Sequence, residues 1–543
     1  MSATAETIVT HQQDSWGDWR IGRIVASSGS ELVVLLEGKA GREKAKIGDI
    51  VLVGDGSAVT VTIVTGIQEP APGLDADTED VRLAQTVLVG TLFARKDKSL
   101  RFERAVTNIP ALGMPAVLAD PALIREIYRS DHEGMVSLGS VPGHDEVHAT
   151  LDPDCLLAGG FAILGAPGTG KSATMASLGR ALLRIRYNAQ IVLIDPFNEY
   201  SRSFGKAAQV VDFATEELPH WLLSFEELAW ALSLNGGAPD EGELSILEEA
   251  VPYARQRFIQ RAGRQRSPGQ TISVSSPVPY RITDLIAYID KQTQLNDGRS
   301  NALYQRLRTR VMASIADPRL AMVFGAATVT DTLPALLTDL FDIGGKGGGL
   351  TVVQLGGIEI GVSRLIVAVL ARLAGAVAEW SNLDRPTLLV IEEAERFMPA
   401  TPSPGIESLC AARLCEFELQ SRKRGAALGL IAVNPRAIDE DMLSRAQTFL
   451  LHRLPSAPDV AFVEEMLPEQ APACIERLGM LATGELVAVG RAAALPGPIL
   501  LPALPAAAMP GALAAKSGTG ADTAEGIADL WRRGGALFEE EDY

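Results

Sequence analysis

Positive charge is scarce in this chain. Its 543 residues carry 49 Lys and Arg against 67 Asp and Glu, a formal net charge of -18. That balance argues against a broad basic face for nucleic acid and leaves room only for a narrow basic channel. Cysteine is scarce too. Cys155, Cys410, Cys415 and Cys474 include no CxxC pair, and a chain this long needs no disulfide staples, so reduced, structural thiols are expected. No apolar run reaches the ~20 residues of a bilayer-spanning helix. The most apolar segment, LIVAVLARLAGAVAEW from Leu365, is interrupted by Arg372 and reads as a buried core helix. The opening MSATAETIVTHQQDSWGDWR lacks the apolar centre of a secretory signal, which points to the cytoplasm and to no membrane partner.

Metal and hydrolase signatures are thin as well. HDEVH at His144 has its glutamate misplaced for H-E-x-x-H, and alternation puts His144, Glu146 and His148 on one strand face, an ordinary polar face. Cys410 and Cys415 have no partnering Cys/His cluster and read as packing residues. No Ser-His-Asp set or nuclease-like carboxylate cluster stands out, so cutting would belong to a partner.

What is present divides by composition. Residues 1–14 are expected to be disordered. From 15 to 120, short β-rich runs such as WRIGRIVASSGSELVVLLEG, broken by Gly, Ser and Asp, have the pattern of a small barrel. Residues 121–150 read as a connector. From 151 to 500, apolar strands followed by helices indicate a mixed α/β domain around a largely parallel sheet, with 215–341 mainly helical. Residues 501–543 are rich in Pro, Ala and Gly and expected to be extended or mobile. The densest basic run, RQRFIQRAGRQR, holds Arg255, Arg257, Arg261, Arg264 and Arg266; it fits a solvated helix end or a contact to a phosphate backbone.

Gly165 to Ser172 reads GAPGTGKS, a full match to G-x-x-x-x-G-K-[ST], between a strand (FAIL) and a helix (SATMASLGRALLRI). Glycines at 165, 168 and 170 allow the backbone N–H groups of the loop, which also holds Ala166, Pro167 and Thr169, to converge on phosphates, and the helix opening at Ser172 and Ala173 adds its positive end. Lys171 is placed for the β/γ-phosphates and Ser172 for Mg²⁺, which names ATP and Mg²⁺ as the expected cofactors. PTLLVIEEAERF then supplies a buried strand ending in Glu392 and Glu393, at the edge where α/β sheets bind ligands. Glu392 would face Mg²⁺ through water and Glu393 would handle the attacking water; alternatively, the acids begin a helix.

These motifs, with IVLIDPFNEY from Ile191, LTVVQLGGIEIGVSRLIVAVLARL from Leu350 and SRKRGAALGLIAVNPRAIDEDMLS from Ser421, follow in the order seen in HerA-type ATPases. The resemblance covers roughly residues 15–500. It implies an α/β fold with a RecA-like P-loop NTPase core and helical insertion after a small N-terminal β-barrel. It also implies a homo-hexameric ring that hydrolyses ATP while moving along or unwinding double-stranded DNA, commonly with a nuclease or other effector. By position it implies Lys171 and Ser172 at ATP and Mg²⁺, Glu392 in the second acidic motif and Glu393 as catalytic carboxylate. Arg422 falls where the family places a residue reaching the neighbouring subunit's nucleotide, or else it is a surface arginine at a helix end. Asp195 and Glu199 match the family's D-P-x-x-E-Y segment, with a capping or turn function for Asp195 as the alternative. Where family members carry Arg-His before the P-loop strand, this chain has Gly159-Gly160. Where they carry Ser-Gln-Arg-Pro, it has Asn434-Pro435-Arg436, making Asn434 the polar sensor. A second reading is an ATP-bound scaffold that gathers an effector, for example in antiphage defence, with Trp531, Leu537 and Phe538 of the tail as a docking element.

Overall fold

The structure, a computed structural model, describes residues 19–511 apart from 55–57, 70–80, 95–99, 129–133, 186–188, 235–236, 238, 263–271, 296–298, 326–328, 344–348, 381–384, 469–471 and 506–507. Residues 1–14, the tail residues Trp531, Leu537 and Phe538, and Arg264 and Arg266 lie outside the described residues. The chain forms two units, one drawn from 1–185, 432–436 and 443–504, the other from 186–431, 437–442 and 505–543.

The first unit begins with β1 (Arg20–Ser27), β2 (Glu31–Leu36), β3 (Ile50–Val53), β4 (Ala58–Gln68), β5 (Arg82–Ala94), β6 (Leu100–Glu103) and β7 (Pro115–Leu118). Alternation makes these strands two-faced: in β2, Leu32, Val34 and Leu36 are buried while Glu31 is exposed. Antiparallel pairing runs β2-β1-β7-β3-β4-β5, and β5 returns to β2 with Glu31 opposite Val87. Six strands thus close a barrel, which leaves no open edge among them. β6 pairs with β5 outside the ring. The inward residues, among them Ile21, Ile24, Val51, Val53 and Ala116, form one core.

After the barrel come α1 (Pro121–Tyr128), the hairpin β8 (Val136–Val141) and β9 (His144–Leu151), α2 (Pro153–Gly159), β10 (Phe161–Leu164) and α3 (Lys171–Arg184). Asp152 caps α2 by accepting from the Asp154 and Cys155 amides at 2.9 and 3.3 Å. Gly160 ends that helix at φ 68°, ψ 167°, a backbone conformation that favours glycine. A Cβ on Gly159 would lie 2.5 Å from Gln447 Oε1. The Gly159-Gly160 pair therefore serves the tight passage from α2 into β10.

The second unit is a parallel sheet of β11 (Gln190–Asp195), β12 (Gln209–Asp212), β13 (Leu350–Gln354), β14 (Thr387–Ile391) and β15 (Ala426–Ala432), in the order β12-β13-β11-β14-β15. β11, β13, β14 and β15 are buried along their whole length, as expected for a parallel sheet covered on both faces. Between β12 and β13 lie α4 (Phe225–Ala231), α5 (Glu241–Arg261), α6 (Ile282–Leu295), α7 (Arg299–Ala316) and α8 (Leu333–Phe341). Capping boxes start two of them, Ser224 with Glu227 and Asp240 with Glu243. α9 (Ile360–Trp380) follows β13, and α10 (Ile406–Ser421) precedes β15.

α9 is apolar enough by composition to cross a membrane, but 72% of its most apolar window is buried inside the fold, as in a core helix. The arginine in its middle has a partner: Arg372 Nε and Nη2 donate to the two oxygens of fully buried Glu227 at 2.9 and 2.8 Å, the bidentate geometry that makes a buried ion pair tolerable.

Within the described part of the basic run on α5, Arg255 does not face solvent. Arg255 is 1% exposed and donates to the carbonyls of Ser273 and Trp221 at 2.7 and 3.3 Å. Arg261 is paired with Asp284 at 2.6 Å, and Arg257 lies 3.8 Å from the same carboxylate. Neither sequence reading of Arg255 holds, because the residue is enclosed by main chain from elsewhere in its own unit.

The chain then returns to the first unit through β16 (Thr448–Leu451), β17 (Glu485–Gly490) and β18 (Gly497–Leu500). β10 pairs in parallel with β16, and β16, β17 and β18 are antiparallel neighbours. Ser140 of β8 pairs with Leu500 of β18, and β9 forms the edge. The stretch 121–150, expected as a connector, is thus partly sheet. On β9, Val147, Ala149 and Leu151 point inward, while Glu146 is exposed and accepts from Arg125 at 3.0 Å. No cluster suited to a metal occurs among the described residues.

Candidate functional site

In the first unit the strand–loop–helix passage at Gly165 forms a cradle. β10 is wholly buried, and its pairing with β16 continues through the His452 amide to the Leu164 carbonyl at 2.8 Å. The loop then turns on glycines at φ 71° (Gly168) and 114° (Gly170), values a side chain would oppose. Thr169 Oγ1 donates to the Ala166 carbonyl at 2.8 Å, and the Gly484 amide donates to the Thr169 carbonyl at 3.2 Å. Lys171, 7% exposed, donates from Nζ to the Ala166 carbonyl at 3.2 Å, folding its ammonium back over the loop. α3 begins at Gly170 without a side-chain cap. No capping side chain therefore competes with an anion at its first turn, and Pro167 and Gly168 are exposed beside it. Ser172 and Ala173 are half-buried on its first turn. Uncapped amides, a lysine held over them and a hydroxyl on the first turn fit a nucleotide's phosphates with a divalent cation.

Asn434 is exposed in the same unit, two residues after Ala432, whose carbonyl accepts the Gly165 amide at 3.3 Å. The structure thus brings the Asn434 segment to the start of the loop.

In the second unit, β11 and β14 are adjacent parallel strands that end in Asp195 and at Ile391, just before Glu392. Asp195 is fully buried and accepts from the amides of Phe197, Glu199 and Tyr200 at 3.4, 3.0 and 2.9 Å. Burial pushes its carboxyl above the ordinary range, against the pull of those three donors. Its structural work is the turn that follows. That turn delivers Tyr200, also fully buried, whose hydroxyl donates to Glu392 Oε2 at 2.5 Å. Glu392 is 5% exposed. Glu393 is half-buried and holds φ 53°, ψ 52°, a left-handed conformation rare outside glycine. The arrangement gives adjacent acids different surroundings, one enclosed and hydrogen-bonded, one reached by solvent. Glu199 is half-buried on the turn, and its carbonyl accepts the Gly511 amide at 3.2 Å.

Arg422 stands at the end of α10, its side chain 32% exposed and 3.5 Å from Glu418. The i,i+4 contact orients the guanidinium along the helix end without enclosing it.

Two residues of these sites carried no signal that sequence reasoning used. Tyr200 sits inside the IDPFNEY segment, but its partner is 192 residues away. His452 follows the strand TFLL and is fully buried against the loop.

Comparison with known proteins places this geometry. Residues 136–374 match the family described as Helicase HerA, central domain. That segment of the chain is similar to the central domain of HerA helicases. The chain is 23% identical over 497 residues to the DNA double-strand break repair helicase HerA of Sulfolobus acidocaldarius, covering 88% of this chain and 92% of that one. It is 24% identical to the HerA helicase of Sulfurisphaera tokodaii over 88% and 91% of the two chains. The solved structure of VirB4 of Thermoanaerobacter pseudethanolicus is 19% identical, with a TM-score of 0.46 over 69% of this chain and 99% of that one. The matched segment begins after the closed barrel and contains the Gly165 loop.

Proposed function

We propose that this chain is the HerA-type subunit of a ring, a homo-hexamer, that uses Mg²⁺-dependent ATP hydrolysis to move along or unwind double-stranded DNA in the cytoplasm. The observation that carries the proposal is the uncapped glycine loop with Lys171 folded over it, in a chain similar over nearly its whole length to proteins named as DNA double-strand break repair helicases.

In this reading the main-chain N–H groups of the Gly165–Ala173 loop would hold the phosphates, Lys171 would neutralise the β/γ-phosphates, and Ser172 and Glu392 would each serve Mg²⁺. Bound Mg²⁺ supplies charge neutralisation at the phosphates. Glu393 orients and deprotonates the attacking water. Asn434 senses the phosphate end, and Asp195 and Glu199 shape the turn that carries Tyr200. Arg422 reaches the nucleotide of the adjacent subunit, where a guanidinium stabilises the charge developing in phosphoryl transfer. A nuclease or other effector does the cutting.

A second reading, an ATP-bound scaffold that regulates an effector, draws support from the enclosure of Arg255 and the net charge of -18, which narrow the basic surface left for DNA. Hydrolysis measured with and without linear duplex DNA at two salt concentrations separates the two. Salt-sensitive stimulation supports the translocase, because phosphate contacts weaken as counterions rise. Turnover indifferent to DNA overturns it in favour of the scaffold.

A further inference from the structure

The floor of the phosphate loop is a side chain that the loop's motif does not contain. His452 is fully buried one residue past β16. A Cβ built on Gly165 would lie 2.5 Å from His452 Cβ, and one built on Gly170 would lie 3.4 Å from His452 Cε1. Its Nε2 is hydrogen-bonded to Thr174 Oγ1 at 2.8 Å, on the buried side of the first turn of α3. One side chain therefore lies against the loop's first glycine through its Cβ and against its last glycine and the following helix through its ring.

A free loop with glycines at three of six positions would lose much conformational entropy on closing around phosphates. That cost is subtracted from binding unless the loop is already ordered. His452 supplies order from beneath, and the Gly484 amide on the Thr169 carbonyl, 3.2 Å, supplies it from the side. The imidazole also adds no charge there. Burial, with the Lys171 ammonium as the second cause, holds its pKa down to about 4, so at neutral pH it does not repel the lysine.

We propose that His452 is a positioning residue for the nucleotide: through Gly165, Gly170 and Thr174 it holds the phosphate loop in its binding conformation before ATP arrives. The inference rests on the reading of Gly165–Ala173 as a nucleotide-phosphate loop. In the full-length protein, affinity for a fluorescent ADP, ATP kcat and KM, and thermal midpoint without nucleotide would be measured for His452→Ala, His452→Gln, Thr174→Val, the His452→Ala/Thr174→Val pair, and Lys171→Ala. His452→Ala and Thr174→Val are each expected to weaken ADP binding about tenfold, with KM rising more than kcat falls. The pair should be no worse than the worse single variant. His452→Gln, whose amide reaches the position of Nε2, should recover most of the affinity. Parental ADP affinity in His452→Ala and Thr174→Val, with only the thermal midpoint lowered, overturns the inference. Should His452→Ala fail to fold, Thr174→Val decides alone, since it removes the same hydrogen bond and keeps the volume. If Lys171→Ala also binds ADP normally, the phosphate-loop reading itself fails; if it loses binding while the others keep it, only the role of His452 fails.

Discussion

Tyr200→Phe isolates a single interaction in the second unit. The ring stays, stacked 6.3 Å from Phe204, and the Tyr200 amide still donates to Asp195. What disappears is one O–H···O bond of 2.5 Å to Glu392. Hydrogen bonds to charged groups contribute about 1.5–3 kcal/mol, and at 5% exposure Glu392 has little water to replace the lost donor. If the bond sets the orientation of Glu392, that energy appears in the barrier, and kcat falls by about 10- to 100-fold. The KM for ATP should stay within about threefold, because the phosphate cradle is built from Gly165–Ala173 rather than from the Tyr200 turn. Steady-state hydrolysis with Mg²⁺ and ATP, beside a denaturant titration of the same sample, measures both. A Tyr200→Phe protein with parental kcat would refute the idea that Glu392 depends on this donor, and a loss of stability without loss of kcat would make the bond structural only.

Lys171→Ala is expected to reduce nucleotide binding at least 100-fold, read by titration with a fluorescent ADP. Glu393→Gln should bind ATP with near-parental affinity and hydrolyse it at under about 1% of the parental rate; turnover near parental removes Glu393 from its role. Arg372→Met removes the bidentate partner of the buried Glu227 carboxylate, leaving it the Ser224 amide at 2.7 Å and Arg413 at 3.9 Å; the cost in denaturant unfolding should exceed the ~1 kcal/mol of a surface pair and stay below the ~5 kcal/mol of a charge left with no partner. His220, 3% exposed, and His452 are both held down to about 4, chiefly by burial. A depressed histidine stays neutral in the fold while the unfolded chain takes up protons from about pH 6.5. Its stabilising contribution is therefore full above 6.5 and lost as pH falls toward 4. Thermal midpoints taken from pH 7.5 to 5 should fall, and His220→Asn should flatten the fall.

What could be read from the residues was local. GAPGTGKS encodes its own geometry, since φ values of 71° and 114° at Gly168 and Gly170 need glycine wherever the loop sits. Strand alternation in ELVVLL and the unbroken apolar runs of the parallel strands also belong to single elements. What escaped was set by partners remote in sequence. Arg372 looked like an interruption because Glu227 lies 145 residues away. Arg255 looked like a charged surface because the carbonyls of Trp221 and Ser273 that enclose it are invisible in a charge pattern. HDEVH was legible as a strand, but β18, which draws its hairpin into a sheet, comes near the end of the described chain. His452 and Tyr200 each needed a fold before a role could be assigned to them.

Backbone strain marks the same places by a separate route. Among the described residues, three that are not glycine hold a positive φ, and two of them are Asn198 and Glu393. Each such residue costs on the order of 1–3 kcal/mol and persists only where neighbours over-determine it. Asn198 is held by its Oδ1, which accepts the Gly356 amide at 2.9 Å, and Gly356 must lack a side chain because its Cβ would lie 2.6 Å from Asn198 Nδ2. Glu393 is held by its carbonyl, which accepts the Arg396 amide at 2.9 Å, and by the fully buried Ala394 and Phe397 that follow it. A glycine at 393 would adopt the same turn without the steric cost, so the turn alone does not account for a glutamate there. The carboxylate does: the left-handed step takes the chain off the sheet directly after Glu392 is fixed against Tyr200, leaving Glu393 half-buried where water can reach it. On the proposed function, the strain is thus located at the residue assigned to the attacking water, one position from the residue enclosed against Tyr200.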